Sequence, residues 1–179
     1  MTTILVTLDG STTSEAVLPV VRKLAADLPA EVRLFAVVAP GRGIGSQGFQ
    51  PANFVTDRGG SVGPSLVDPR AFLVDPEPEW VESGEQATRR MVEEAEDRLE
   101  SLASSFAQQG IPVTTSVAVS ESPAGAIIAQ ARDADIDIIA MATHGRGGLT
   151  KLAHGSVAQE VLLSGVKPVL LLRPHLGNQ

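Results

Sequence analysis

The chain has no cysteine and no tyrosine, and with one tryptophan and five phenylalanines its aromatic content is only 3% of 179 residues. Without thiols there is neither a disulfide framework nor a thiolate metal site, which suits a reducing compartment. Positive charge is also in short supply: 14 Lys and Arg stand against 21 Asp and Glu, a formal net charge of -7 and a pI near 4.9. That balance excludes a general electrostatic attraction to nucleic acid or to an anionic membrane. No apolar run approaches the ~20 residues that span a bilayer. The N-terminus, Met1-Thr-Thr-Ile-Leu-Val-Thr-Leu-Asp9, carries no basic n-region of a signal peptide. These absences predict a cytoplasmic protein in which any anion site is local.

What is present is a core-forming chain, 43% hydrophobic, of a length that suits one domain over residues 1–179. Residues 3–8 form a short β-rich run that stops at Asp9-Gly10. Thr12 to Glu15 matches a capping box opening a helix, with Val17, Val20, Val21, Leu24 and Leu28 as its apolar stripe and Pro19 sitting awkwardly inside it. Residues 31–38 read as a second strand. From 40 to 84 the periodicity vanishes, and that stretch holds half of the 12 prolines and nearly half of the 17 glycines. It is an insertion. It also carries Trp80, Phe49, Phe54 and Phe72, aromatics suited to anchoring a long loop, covering a ligand or packing on a partner.

Pattern returns after Gly84, where Met91, Ala95, Leu99, Leu102 and Phe106 line one face of a long charged helix that Gly110 can close. Val113 to Val119 alternates as a strand entered through Pro112, and 124–132 reads as a helix. The apolar run Ile138 to Ala142 fits a strand buried on both faces. A helix beginning near Ser156, its N-cap, then places Val157, Val161 and Leu162 on one side. Residues 168–173 supply a last strand, again entered through a proline. This βαβαβαβαβ order predicts a three-layer α/β/α fold with a five-stranded parallel sheet. An order of 3-2-1-4-5 puts the first and fourth strands side by side at the reversal point, where ligands sit in such sheets. It also sends both proline-entered strands to the edges, where proline is tolerated.

The fourth strand runs into the chemically suggestive stretch, Ala142-Thr-His-Gly145-Arg-Gly-Gly148-Leu and on to Gly155-Ser156-Val157. Strand, glycine loop and helix start together make an anion-binding arrangement: glycine lets backbone approach a ligand, and the helix N-terminus favours negative charge. A plain β-to-α turn would need fewer glycines and no distant Gly-Ser. A literal GxGxxG at Gly43 to Gly48 is a decoy, because Pro51 and its neighbours break the helix that a dinucleotide fingerprint must open. No P-loop motif is present. His144, His154 and Arg146 have no carboxylate or second histidine at metal-ligand or triad spacing, so the reading assigns no catalytic residue and no metal ligand.

These residues resemble the universal stress proteins, whose nucleotide-binding members carry Gly, two residues, Gly, nine residues, then Gly-Ser or Gly-Thr. Here Gly145, Gly155 and Ser156 match that spacing, and Ala142 stands in the first glycine's place. Gly155-Ser-Val-Ala-Gln-Glu-Val161 and Lys167-Pro-Val-Leu-Leu-Leu-Arg173 are similar in wording as well. The likeness covers the chain except 40–84. It implies the adenine nucleotide alpha hydrolase-like fold and a homodimer paired through 168–173. It also implies that an adenine nucleotide is bound, ATP with or without Mg2+. Asp9, with Thr7 and Leu8 before it, is then placed at the ribose, backbone near Val37 at the adenine edge, and Met141 and Ala142 beside the nucleoside. Gly145, Gly155, Ser156 and Val157 are placed on the phosphates, with His144, Arg146 and Gly148 as their loop neighbours. The expected role is a regulatory stress-response module. A slow ATPase or phosphotransferase, and a nucleotide-free interaction dimer, are the alternatives.

Overall fold

The computed structural model describes residues 1–41, 83–133, 135–143 and 156–173. Most of the insertion, the interior of the glycine loop and residues 174–179 lie outside that set. Five strands, β1 (Thr2–Leu8), β2 (Ala30–Val38), β3 (Val113–Val119), β4 (Ile138–Ala142) and β5 (Val169–Leu172), form one sheet. Their order is β3-β2-β1-β4-β5, and every pairing is parallel, as the strand and helix sequence predicts. Both proline-entered strands are at the edges. Pro112 lacks an N–H but its carbonyl accepts from Val32 N–H at 2.9 Å, so it serves the sheet without breaking the ladder.

Because successive side chains point to opposite faces, the central strands feed two cores. Ile4, Val6, Leu8, Val32 and Leu34 pack against helices α2 (Leu18–Asp27) and α3 (Gly84–Ala107). Leu5, Phe35, Ile139 and Met141 pack on the other face, against α4 (Pro123–Asp133) and α5 (Ser156–Ser164). The three layers are thus fixed by strand alternation.

The first helical stretch departs from the sequence reading. It divides into α1 (Thr12–Glu15) and α2, with Pro19 in the opening turn of α2, where its missing N–H costs nothing. The cap of α1 is Ser11, not Thr12: Ser11 Oγ accepts from Ser14 N–H at 3.1 Å. The division also rotates the apolar stripe. Leu18, Val21 and Ala25 are the buried residues of α2, while Val20 and Leu28 are exposed at 39% and 41%. In α5 likewise Ala158 and Val161 are buried and Leu162 is 47% exposed.

Helix α3 begins with the capping box Ser83–Gln86 and ends as its sequence indicates. Ile111 N–H donates to Phe106 O at 3.2 Å and Gly110 N–H to Ala107 O at 2.9 Å, with Gly110 at φ 74°, a Schellman ending whose apolar contact is Ile111 on Phe106. Gly110→Ala is expected to destabilise the fold by about 1–2 kcal/mol, the strain of a side chain in left-handed backbone. Urea denaturation measures it, and an unchanged midpoint would contradict the assignment of this cap.

Candidate functional site

The C-terminal ends of β1 and β4 lie side by side, and the chain leaves them in opposite directions, from β1 to the α2 and α3 layer and from β4 to the α4 and α5 layer. A crevice opens between them, as strand reversal requires. It encloses a cavity of about 300 Å3. Every described residue that the sequence reading named as a site residue lines it: Thr7, Leu8 and Asp9 from β1 and its end, Val37 from β2, Met141 and Ala142 from β4, and Ser156 and Val157 from α5. His144, Gly145, Arg146, Gly148 and Gly155 lie outside the described residues.

Each wall has a local cause. The register pairs Leu8 with Ala36, so Val37 is the first residue of β2 beyond the end of β1. Val32 N–H donates to Pro112 O and Val38 C=O accepts from Ser120 N–H, which fixes the even residues of β2 as bonded toward β3. Alternation then turns the N–H and C=O of Val37 toward the β1 side. In the parallel register the Val37 N–H is spent on Leu8 O, so what is presented past the end of β1 is an acceptor, the Val37 carbonyl, beneath the half-buried Val37 side chain.

Asp9 is exposed at the strand end. Gly10 follows with φ 77°, a conformation that favours glycine, and folds the chain back so that Ser11 N–H and Ser11 Oγ both donate to Asp9 Oδ1, at 2.9 and 2.6 Å. Across the crevice Ser156 is the first residue of α5. Ser156 offers its own N–H and hydroxyl in the unsatisfied first turn of a nine-residue helix. Ala142 continues β4 in register with Leu172. Its backbone is ordinary strand, so alanine meets no conformational obstacle in a position where the motif has glycine.

The sequence reading missed Ser14, Phe35, Pro123, Ile127, Thr143 and Ala158, all of which also line the cavity. Phe35 is recoverable in hindsight, since it lies two residues before Val37 and shares its face. Pro123 and Ile127 come from the first turns of α4, whose approach to the crevice only the tertiary fold reveals. Together with Val37 and Met141 they make an apolar slot, while Thr7, Asp9, Thr143 and Ser156 supply the polar groups. An apolar slot with a few convergent polar groups is suited to a flat heterocycle carrying a polar arm.

A second cavity, about 550 Å3, lies on the other sheet face between β1, β2 and α3, with Ala36, Val38, Met91 and Leu99 in its walls. Of the charged groups in its walls, Arg98 holds Glu15 (Nε to Oε1 2.7 Å) and Glu94 accepts from Arg90 at 2.9 Å. It is larger and shares Leu8, Asp9 and Val37 with the first, yet it lacks the end of β4 and the start of α5 that the first possesses. Among the described residues no group of three His, Cys, Asp or Glu could hold a metal ion. Among them too, no helix is long and apolar enough to cross a membrane.

The profile of the Universal stress protein family matches residues 66–173, more than half of the chain. The chain belongs to this family. It is 31% identical over 84 residues to the universal stress protein MJ0577 of Methanocaldococcus jannaschii, a stretch covering 47% of this chain and 51% of that relative, about half its length. The solved structure of MJ0577 superposes with a TM-score of 0.66 at 23% identity, covering 98% of each chain. The Archaeoglobus fulgidus universal stress protein, solved in complex with dAMP, gives 0.53 at 17% identity and covers 96% of this chain and 97% of its own. A family protein of Arabidopsis thaliana with AMP bound gives 0.54 at 13% identity, covering 98% and 94%. Likenesses at these identities support the fold, which agrees with the order β3-β2-β1-β4-β5.

Proposed function

We propose that this chain binds an adenine nucleotide in the crevice between β1 and β4 and acts as a nucleotide-responsive, homodimeric regulatory module of the stress response. The observation that carries the reading is convergence: residues as far apart in sequence as Thr7, Val37, Met141 and Ser156 line one cavity at the reversal of strand order. The adenine lies in the apolar slot with its edge on the Val37 backbone, the ribose faces Asp9, and the phosphates run to the start of α5 and the loop before it. The AMP and dAMP carried by the Arabidopsis and Archaeoglobus relatives support this class of ligand. ATP is the ligand proposed here, as the likeness of the Gly145 to Ser156 stretch to the nucleotide-binding members of the family implies. Asp9 is the single carboxylate among the described lining residues and its Oδ1 is engaged by Ser11. A Mg2+ ion on the phosphates would therefore draw chiefly on phosphate oxygens and water.

The same reasoning favours a binding module over an ATPase. Asp9 is also the only ionisable side chain among the described lining residues, so those residues assemble no acid–base pair. Mass spectrometry of small molecules released on denaturing the purified protein tests the proposal. A retained adenine nucleotide supports it. If none is retained and titration with ATP and AMP shows no saturable binding, the proposal fails. The acidic, cysteine-free chain suits the cytoplasm, and we place it there.

The dimer is proposed through β5, an edge strand whose residues Val169–Leu172 are all partly exposed and whose outer backbone edge invites pairing with a second strand. Sedimentation is expected to give twice the 18.6 kDa chain mass, and Leu171→Lys to reduce it to one chain. A parent that is monomeric at micromolar concentration would contradict this.

A further inference from the structure

We infer that Ser11, which does not line the crevice, is a positioning residue for it: Ser11 fixes the Asp9 carboxylate where a ribose hydroxyl of the nucleotide donates to it. The inference rests on the nucleotide reading above and adds a residue that the ligand never touches. Asp9 is exposed at the end of β1, where an untethered side chain spreads over several rotamers and loses that freedom on binding. Here it is tethered at both ends. Its Oδ1 accepts from Ser11 N–H at 2.9 Å and from Ser11 Oγ at 2.6 Å, the short contact expected of a hydroxyl on a carboxylate. Its own N–H donates to Ser14 Oγ at 3.3 Å, and that hydroxyl, buried at 5%, donates to Ser11 O at 2.8 Å.

Ser11 Oγ closes the ring by accepting from Ser14 N–H at 3.1 Å. One hydroxyl thus orients the carboxylate and starts α1. That helix has four residues, too few to persist alone, and Glu15 at its end is held to α3 by Arg98 at 2.7 Å. The orientation of Asp9 is therefore set by an anchored turn and not by solvent. A carboxylate can only accept, and the ribose 2′- and 3′-hydroxyls can donate, so a ligand lacking both gains nothing from the arrangement.

Calorimetric titration of the full chain with AMP and with 2′,3′-dideoxy-AMP separates the possibilities. The parent binds AMP more tightly than the dideoxy ligand. Ser11→Ala weakens AMP on the order of tenfold, leaves the dideoxy affinity unchanged, and Ser11→Thr restores AMP binding. Equal weakening of both ligands by Ser11→Ala would mean that only the start of α1 was lost, and would overturn the inference. So would unchanged AMP binding, or a parent that does not distinguish the two ligands. A parent that binds neither overturns the nucleotide reading itself and the inference with it.

Discussion

Ser156→Asp is expected to leave the thermal midpoint close to the parent's while removing most of the affinity for ATP. Ser156 is exposed at the first position of α5, where a negative charge interacts favourably with the helix dipole, by about 0.3–1 kcal/mol. The same charge would face the phosphates across the helix start. Two like charges about 4 Å apart at a surface-like effective dielectric repel by about 4 kcal/mol, or roughly a thousandfold in the dissociation constant. Because Ser156 is the first residue of α5 and exposed, Ser156→Ala should hardly change stability and should lose only the hydroxyl's bond to a charged acceptor, about 1.5–3 kcal/mol of binding. Thermal melts paired with ATP titrations check both variants. Should Ser156→Asp bind ATP as well as the parent, the phosphates are not at this helix.

Phe106→Ala is expected to have the opposite profile, a loss of about 3–5 kcal/mol in unfolding free energy with nucleotide affinity retained. The ring is fully buried on the α2 and α3 face, the face away from the crevice, and it carries three contacts at once. It packs in the core, it shares that core cluster with Ile111 in the ending of α3, and Arg22 lies over it with its guanidinium carbon 4.8 Å from the ring centroid. Arg22 Nη2 donates to Ser105 Oγ at 2.5 Å, but its buried Nε has no partner, so the ring is its main compensation. Urea unfolding measures the loss, and titration well below the midpoint measures affinity. A loss under about 1 kcal/mol would mean that the site collapses around the vacancy far better than close packing allows.

The strands and their order were legible in the sequence because burial on both faces writes continuous apolar runs, as at Ile138 to Ala142, and because prolines at 112 and 168 reserve their strands for the edges. The ends of α3 were legible through Gly84 and Gly110 for similarly local reasons. What local pattern could not convey was helix phase. Residues 12–28 read as one stripe, yet Pro19 in an opening turn divides them and turns Val20 and Leu28 outward. At the site, Asp9 was legible from a strand end and Ser156 from the glycine spacing, and Val37 and Met141 through the family resemblance, as residues that line the cavity. Phe35, Ile127 and Thr143 were not, since an apolar residue in a core and one in a cavity wall look alike until helices are docked. The larger cavity beside α3 was unforeseen for the same reason.

The central claim is that the nucleotide lies between β1 and β4, on the face covered by α4 and α5. Amide correlation spectra recorded while AMP is added test it most directly, since the two cavities lie on opposite faces of the sheet. Shifts concentrated at Met141 to Thr143 and Ser156 to Ala158, which line the first cavity and not the second, are expected, with Met91, Ala95 and Leu99 of α3 unmoved. Saturable shifts centred on α3 instead, or none at all at millimolar AMP, would contradict the account.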